Sequence, residues 1–256
     1  ARIAVRAGAE AVYMTGFGIA GSLLGVPDIG LVSASEMTER VRALSAAAAP
    51  ALLIADGDNG HGGTANVERL VRDYEHAGAA CIQLEDQVLP KRCGHMEGKE
   101  LVPLGEAVAK IRAAVRARGS SDFLIIARTD ARAVEGLDDA FRRADAYLGA
   151  GADLLFVEAP QSEAELGQIA ARFNGTKLVA NMVEDGKTPM LSAPDLAALG
   201  YRLILFPLSS LLAAARAVER VYEGLLAKGK VDTNAERVTF ADYNDIVELN
   251  SYLKHK

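Results

Sequence analysis

Four times along this chain a glycine set among small or apolar residues feeds a short apolar run that stops abruptly in polar residues. Ala7-Gly8-Ala9 precedes residues 11–16, Ala77-Gly78-Ala79 precedes 81–86, Ala150-Gly151-Ala152 precedes 154–158, and Leu199-Gly200 precedes 203–207. Glycine ends a helix because it accepts left-handed φ at no steric cost. An apolar run without polar alternation suits a strand covered on both faces, as in a parallel sheet. Runs 51–58, 123–130 and 178–183 bring the strand candidates to seven, separated by helix-length segments. The pattern predicts an α/β fold, a (β/α)8 barrel of the TIM type one strand short of closure. Residues 1–7 have helical apolar spacing and run directly into the first glycine turn, so the simplest expectation is that one strand precedes Ala1. An open doubly wound sheet would also alternate strand and helix. No Gly-rich dinucleotide fingerprint favours it, since Gly16-Phe17-Gly18 followed by Gly21 is a common spacing. The expectation is one barrel domain over residues 1–256, with a C-terminal helical segment over about 211–256 in which 211–226 and 240–252 read as helices.

Half of the 256 residues are hydrophobic and 24% are charged, the balance of a globular protein with a filled interior. The formal net charge of −6 gives no general attraction to nucleic acid or to an anionic membrane, both of which need a basic surface. No apolar run approaches the roughly 20 residues of a membrane span. The start Ala1-Arg2-Ile3-Ala4 lacks a signal-peptide layout, and a cytoplasmic protein is the expectation. Two cysteines do not make a disulfide framework. Cys81 lies in an apolar run and reads as core, whereas Cys93 has polar and basic neighbours.

In a parallel barrel the C-terminal strand ends converge on one rim, and catalytic groups come from several of them. Polar residues do collect where the runs stop: Thr15, Asp56, Asp58, Glu85, Asp86, Arg128, Asp130, Glu158, Asn181, Ser209 and Ser210. Acids ending buried strands repel one another unless protons or a cation offset the charge. Asp56, Asp58 and Glu85 on adjacent strands suggest a hard divalent ion with oxygen ligands, Mg²⁺ above all and Mn²⁺ as a substitute. Each taken alone also reads as a helix N-cap or a satisfied loop carboxylate. His61, His76, His95 and His255 lack zinc-ligand spacing. Arg128 among carboxylates is costly to bury unpaired, so it pairs with Glu158 or a neighbour, or receives an anionic substrate. Residues 57–63 are too glycine-rich for a helix and let backbone approach a ligand.

Residues 87–99 form a polar connection longer than usual, the kind that serves as an active-site lid. Within it stands Lys91-Arg92-Cys93-Gly94-His95. Cations beside a thiol lower its pKa, and the flanking Lys91 and Arg92 predict that effect for Cys93. An inert surface cysteine beside basic residues is the plainer alternative.

Lys-Arg-Cys-Gly-His, following Glu85-Asp86-Gln87, resembles the signature of the isocitrate lyase and phosphoenolpyruvate mutase superfamily. The stretches 24–30, 56–58, 127–130, 156–159, 180–183 and 206–209 match the same pattern, so the resemblance covers nearly the whole chain. It implies a barrel of that family's kind. It also implies Mg²⁺ held by Asp56, Asp58 and Glu85 with Asp28 close by, and Thr15, Gly16 and Phe17 on a substrate carboxylate. Arg128, Glu158, Asn181 and Pro207 would line the pocket, Lys91, Arg92, Gly94 and His95 would meet the substrate as the loop closes, and Cys93 would be the acid or base. The implied reaction is retro-aldol cleavage of a 2-hydroxy dicarboxylate or tricarboxylate to a 2-oxo acid and a carboxylate. A homotetramer with exchanged C-terminal helices is implied as well.

Within that superfamily the cysteine loop favours a lyase. Asn181-Met182-Val183-Glu184-Asp185-Gly186-Lys187-Thr188-Pro189 and His95-Met96-Glu97-Gly98-Lys99 look more like dimethylmalate lyase, the petal-death type and the carboxyphosphonoenolpyruvate mutase than like methylisocitrate lyase. A phosphonate mutase or an oxaloacetate hydrolase or decarboxylase is the alternative, and a non-catalytic acid-binding barrel is the remote one. Asp56-Gly57-Asp58-Asn59-Gly60-His61-Gly62 departs from the commoner Asp-x-Asp-Thr-Gly-Tyr/Phe-Gly, and Phe17 replaces a smaller residue of some relatives.

Overall fold

The computed structural model describes residues 1–231 and 237–253, which leaves His255 outside. Seven strands form one sheet in the order β1 to β7, every neighbour parallel: β1 (Ala11–Met14), β2 (Leu52–Asp56), β3 (Cys81–Glu85), β4 (Leu124–Thr129), β5 (Leu154–Val157), β6 (Lys177–Asn181) and β7 (Tyr201–Leu205). They make a nearly closed TIM-type barrel. β1 to β6 are each shorter than their apolar runs and β7 ends two residues before its run does, because the last residues of each run leave the ladder to form the rim.

Helices intervene in turn: α1 (Arg2–Arg6), α2 (Gly16–Ile19), α3 (Ala34–Ala48), α4 (Thr64–His76), α5 (Leu104–Ala117), α6 (Ala131–Val134), α7 (Leu137–Gly149), α8 (Glu163–Arg172) and α9 (Ala193–Leu199). Their apolar stripes face the sheet. In α4 the buried residues Val67, Leu70, Val71 and Tyr74 follow the 3.6-residue period. Ser33, Ser162 and Ser192 cap α3, α8 and α9 by accepting from backbone N–H groups of the first turn. The four glycine turns hold positive φ, +95° at Gly8, +94° at Gly78, +100° at Gly151 and +112° at Gly200.

Strand alternation separates two cores. Leu53, Ala55, Ile82, Leu84, Ile125, Ala127, Leu155 and Val157 point outward and pack under the helices. Ile54, Cys81, Ile126, Leu154, Phe156, Val179 and Leu205 fill the barrel interior. Successive residues on one face recur every second position, so the inner file continues from Ile54 to Asp56, from Cys81 to Gln83 and Glu85, from Ile126 to Arg128 and from Phe156 to Glu158. The parallel register sets Glu85 beside Arg128 and Arg128 beside Phe156.

Beyond the repeat, α10 (Ser209–Lys228) has no buried residue and exposes Leu212, Val218, Val221 and Leu226. The expected helix over 240–252 is instead two, α11 (Phe240–Ile246) and α12 (Leu249–Leu253), because Glu248 between them takes φ +59°. Among the described residues no helix is long and apolar enough to cross a membrane.

Candidate active site

A pocket of about 420 Å³ opens at the C-terminal rim of the barrel, and fourteen of the residues expected from the sequence line it. Thr15, Phe17 and Asp28 come from the first βα connection, Asp56 and Glu85 from β2 and β3, and Arg128, Glu158, Asn181 and Pro207 from the ends of the later strands. Lys91, Arg92, Cys93, Gly94 and His95 cover them from the loop after β3. The other two adjoin: Gly16 N–H donates to Asp56 Oδ2 at 3.0 Å, and Asp58 Oδ1 lies 2.6 Å from Lys91 Nζ. The Gly16 amide, expected on a substrate carboxylate, is thus engaged by the nearer carboxylate of Asp56.

The acidic side carries more negative charge than its cations offset. Lys91, with its side chain 3% exposed, puts Nζ 2.5 Å from Asp28 Oδ1 as well as against Asp58. Burial works against its charge, but Asp58, Glu85, Asp56 and Asp28 together hold the ammonium protonated. Burial pushes the Asp58 carboxyl up to about 6, against the pull of Lys91 and helped by Asp56. Glu85 is raised by burial too, and its Oε1 is buried without a hydrogen-bond partner. Among the described residues no three Asp, Glu, His or Cys side chains gather into a preassembled metal cage. The Lys91 ammonium instead bridges Asp28 and Asp58. Asp56 Oδ1 is further held by the Asp58 amide at 3.0 Å and by Gln83 Nε2 at 3.3 Å, and Gln83 also accepts from Tyr13 Oη at 3.0 Å.

Arg128 is the opposite pole. Its Nε and Nη2 form a two-pronged pair with Asp130, both at 3.0 Å, and its remaining edge faces Glu85 Oε2 at 3.5 Å and Glu158 Oε1 at 3.6 Å. The guanidinium also lies 5.3 Å from the centre of the Phe156 ring. Burial alone would raise Asp130, but Arg128 and Lys99 outweigh it and hold the carboxyl at about 2. Behind it, buried Asp86 accepts from Thr129 Oγ1 at 2.7 Å, the Asp130 amide at 2.9 Å and Tyr147 Oη at 2.7 Å, which fixes the end of β4.

The loop is tied down by polar contacts. Gln87, buried, donates to the Arg92 carbonyl and accepts from the Arg92 amide, both at 2.9 Å. Lys99 Nζ donates to the Gly94 carbonyl and lies 3.0 Å from Asp130 Oδ1. The expected lowering of the Cys93 pKa does not occur. Burial pushes the thiol up, against a hydrogen bond from the His95 backbone, because Lys91 turns away to Asp28 and Asp58 and exposed Arg92 bonds the Glu97 carbonyl at 2.9 Å. Cys93 is therefore a protonated thiol at neutral pH. Burial also lowers His95, against the pull of Glu158, so its ring is neutral.

Sequence reasoning missed Tyr13, Val183 and Leu208 in the lining and Gln83 and Lys99 behind it. Tyr13 and Gln83 were accessible from period-two spacing with Thr15 and Glu85. Lys99 reads as an ordinary loop lysine and carried no signal.

The sequence profile of the phosphoenolpyruvate phosphomutase family matches residues 1–226. This chain belongs to the phosphoenolpyruvate mutase/isocitrate lyase superfamily. It is 47% identical to the 2,3-dimethylmalate lyase of Eubacterium barkeri over 97% of this chain and 86% of that protein. It is 42% identical to the chloroplastic carboxyvinyl-carboxyphosphonate phosphorylmutase of Arabidopsis thaliana (99% and 76%) and 42% identical to the 2-methylisocitrate lyase of Aeropyrum pernix (99% and 81%). The crystal structure of 2,3-dimethylmalate lyase superposes with a TM-score of 0.95 at 37% identity, covering 99% of this chain and 84% of that one. Oxaloacetate acetylhydrolase in complex with 3,3-difluorooxalacetate gives 0.95 at 33% identity (99% and 86%). Phosphonopyruvate hydrolase in complex with oxalate and Mg²⁺ gives 0.87 at 31% (99% and 88%).

Proposed function

We propose that this superfamily member is a magnesium-dependent carbon–carbon lyase that cleaves a substituted malate, a 2-hydroxy dicarboxylate, into a 2-oxo acid and a carboxylate. The observation that carries the reading is the position of the Cys93 thiol over a pocket walled by Arg128 and Glu158, in a setting that pushes its pKa up. A lyase must deliver a proton to the carbon it releases, and a half-buried thiol that keeps its proton can do so. Migration of a phosphorus group needs no such donor.

The acids fit a hard divalent ion. Glu85 Oε1 and Asp58 Oδ1 are buried acceptors without a hydrogen-bond partner, and a Cβ at Gly16 would lie 3.0 Å from Asp56 Oδ2 and 3.1 Å from Asp58 Oδ1, so only glycine there leaves the two carboxylates uncrowded. Asp56, Asp58 and Glu85 would hold Mg²⁺, or Mn²⁺ in its place, with Lys91 withdrawing from Asp58. Such an ion supplies Lewis-acid stabilisation of the oxygens of the 2-oxo acid.

The chain's own groups then divide the work. Thr15 and Phe17 border the substrate carboxylate, and Arg128, charged and desolvated, stabilises negative charge as it develops on the leaving fragment. Glu158 accepts the hydroxyl proton, the C–C bond breaks, its electron pair passes into the departing enolate-like carboxylate, and Cys93 protonates that carbon. Asn181 Nδ2, 3.3 and 3.4 Å from the Glu158 oxygens, orients the base. The exposed apolar side chains of α10 and the helices after it support a homotetramer with exchanged C-terminal helices.

The test is a panel with Mg²⁺ covering 2,3-dimethylmalate, 2-methylisocitrate, oxaloacetate and phosphonopyruvate. Wild type releases a 2-oxo acid from a malate-type substrate, and Cys93→Ala loses at least about 100-fold in kcat. Full activity in Cys93→Ala, or turnover of phosphonopyruvate alone, would overturn the reading.

A further inference from the structure

Lys187, in the segment of residues 182–192 after β6, lies 92 positions from His95 of the Cys-Gly-His turn in sequence yet meets it directly. The Lys187 main-chain N–H donates to His95 Nδ1 at 3.0 Å. Gly186 packs so closely that a Cβ there would sit 2.6 Å from His95 Nδ1, 2.9 Å from Cε1 and 2.9 Å from the Val183 carbonyl. Lys187 Nζ pairs with Glu97 on the far side of the same turn. On the opposite edge of the ring, Nε2 is buried, has no hydrogen-bond partner, and faces Glu158 Oε1 at 3.5 Å.

A backbone N–H can only donate, so the nitrogen it meets must present a lone pair. The ring is neutral, and its single proton is then confined to Nε2. We infer that the Gly186–Lys187 backbone is a positioning element that sets the tautomer and direction of His95, so that its Nε2–H is aimed as a hydrogen-bond donor into the pocket beside Glu158. The donor makes no hydrogen bond in the protein, so it is available to an acceptor oxygen of a bound acid, a role that rests on the lyase reading above. Without the Lys187 amide the neutral ring could place its proton on Nδ1 and turn a lone pair toward Glu158, which repels both that carboxylate and an anionic substrate. Glycine at 186 is required because any side chain there displaces the imidazole or the Val183 carbonyl.

The test reads the tautomer itself, independently of turnover. The full chain labelled with [¹⁵N]histidine is examined by long-range ¹H–¹⁵N correlation of the ring nitrogens, with His95 assigned by its loss in His95→Gln. Wild type shows the Nε2–H form. Glu97→Gln, which breaks only the exposed pair to Lys187, leaves that form in place. Gly186→Ala, and Lys187→Pro, which removes the donor, convert His95 to a mixed or Nδ1–H form and lower kcat on the malate-type substrate by about tenfold or more, with a smaller change in KM. An Nδ1–H form in wild type, a tautomer shift in Glu97→Gln, or an unchanged tautomer in both backbone variants overturns the inference. If wild type cleaves no acid but the tautomers behave as stated, the lyase reading fails and the positioning role stands.

Discussion

Lys99→Met exchanges a buried ammonium for an apolar side chain of similar length and tests how the loop is anchored. Lys99, with its side chain 2% exposed, lies 3.0 Å from Asp130 Oδ1 and donates to the Gly94 carbonyl, so one atom ties the loop turn to the end of β4. Losing the bond leaves the carbonyl of buried Gly94 unpaired, at about 1–3 kcal/mol. Stripping a buried carboxylate of its partner costs about 3–5 kcal/mol, but Asp130 keeps both contacts to Arg128, and the variant no longer desolvates an ammonium. The net loss is about 2–3 kcal/mol, read as a lower denaturant midpoint at unchanged slope. The pH dependence follows from Asp130, whose folded pKa of about 2 lies below its unfolded value of about 3.9. Its stabilisation is complete above about pH 4 and is lost as pH falls toward 2. Removing Lys99 raises the folded pKa toward the unfolded one, so the gap between wild type and variant narrows on acidification. In parallel, Cys93 is alkylated faster than in wild type because the turn is no longer pinned. A loss under about 0.5 kcal/mol together with unchanged Cys93 reactivity would refute the anchoring argument.

Three further outcomes follow from the same geometry. Gly94→Ala places a Cβ into the Glu158 carboxylate and 2.5 Å from Arg128 Nη2, so kcat/KM falls at least about 100-fold while the melting temperature moves by only a few degrees. Iodoacetamide labels Cys93 slowly at pH 7.5, with an inflection above the ordinary thiol value of about 8.5, and an inflection below 8 would contradict burial as the dominant influence. Mg²⁺ at 100 times its Kd stabilises wild type by about 2.7 kcal/mol in thermal denaturation, and Asp58→Asn abolishes most of that shift.

Much of this site was legible because two periodicities reinforce each other. Apolar runs fed by glycine turns announce parallel strands, and alternation along each strand carries the inner file to the rim. Thr15, Asp56, Glu85, Arg128, Glu158 and Asn181 could therefore be gathered from sequence, and all of them line one pocket. The family resemblance supplied the roles of Lys91 to His95, which no periodicity marks.

What the loop does electrostatically was not legible. Adjacent cations in the sequence implied a lowered thiol, yet Lys91 reaches Asp28 and Asp58 while Cys93 is left in a half-buried setting that favours its proton. A flexible side chain goes where the strongest field draws it, and four carboxylates from three segments of the chain create that field only after the barrel assembles. The same holds for Lys99 against Asp130 and for the Lys187 amide on His95, pairs joined by hydrogen bonds that fold-level packing brings into range. Sequence by itself determined the strands, their inner faces and the residues that end them, because those follow from local spacing. Tertiary structure alone decided which charges meet and which groups keep their protons, because these depend on distances between segments far apart in the chain.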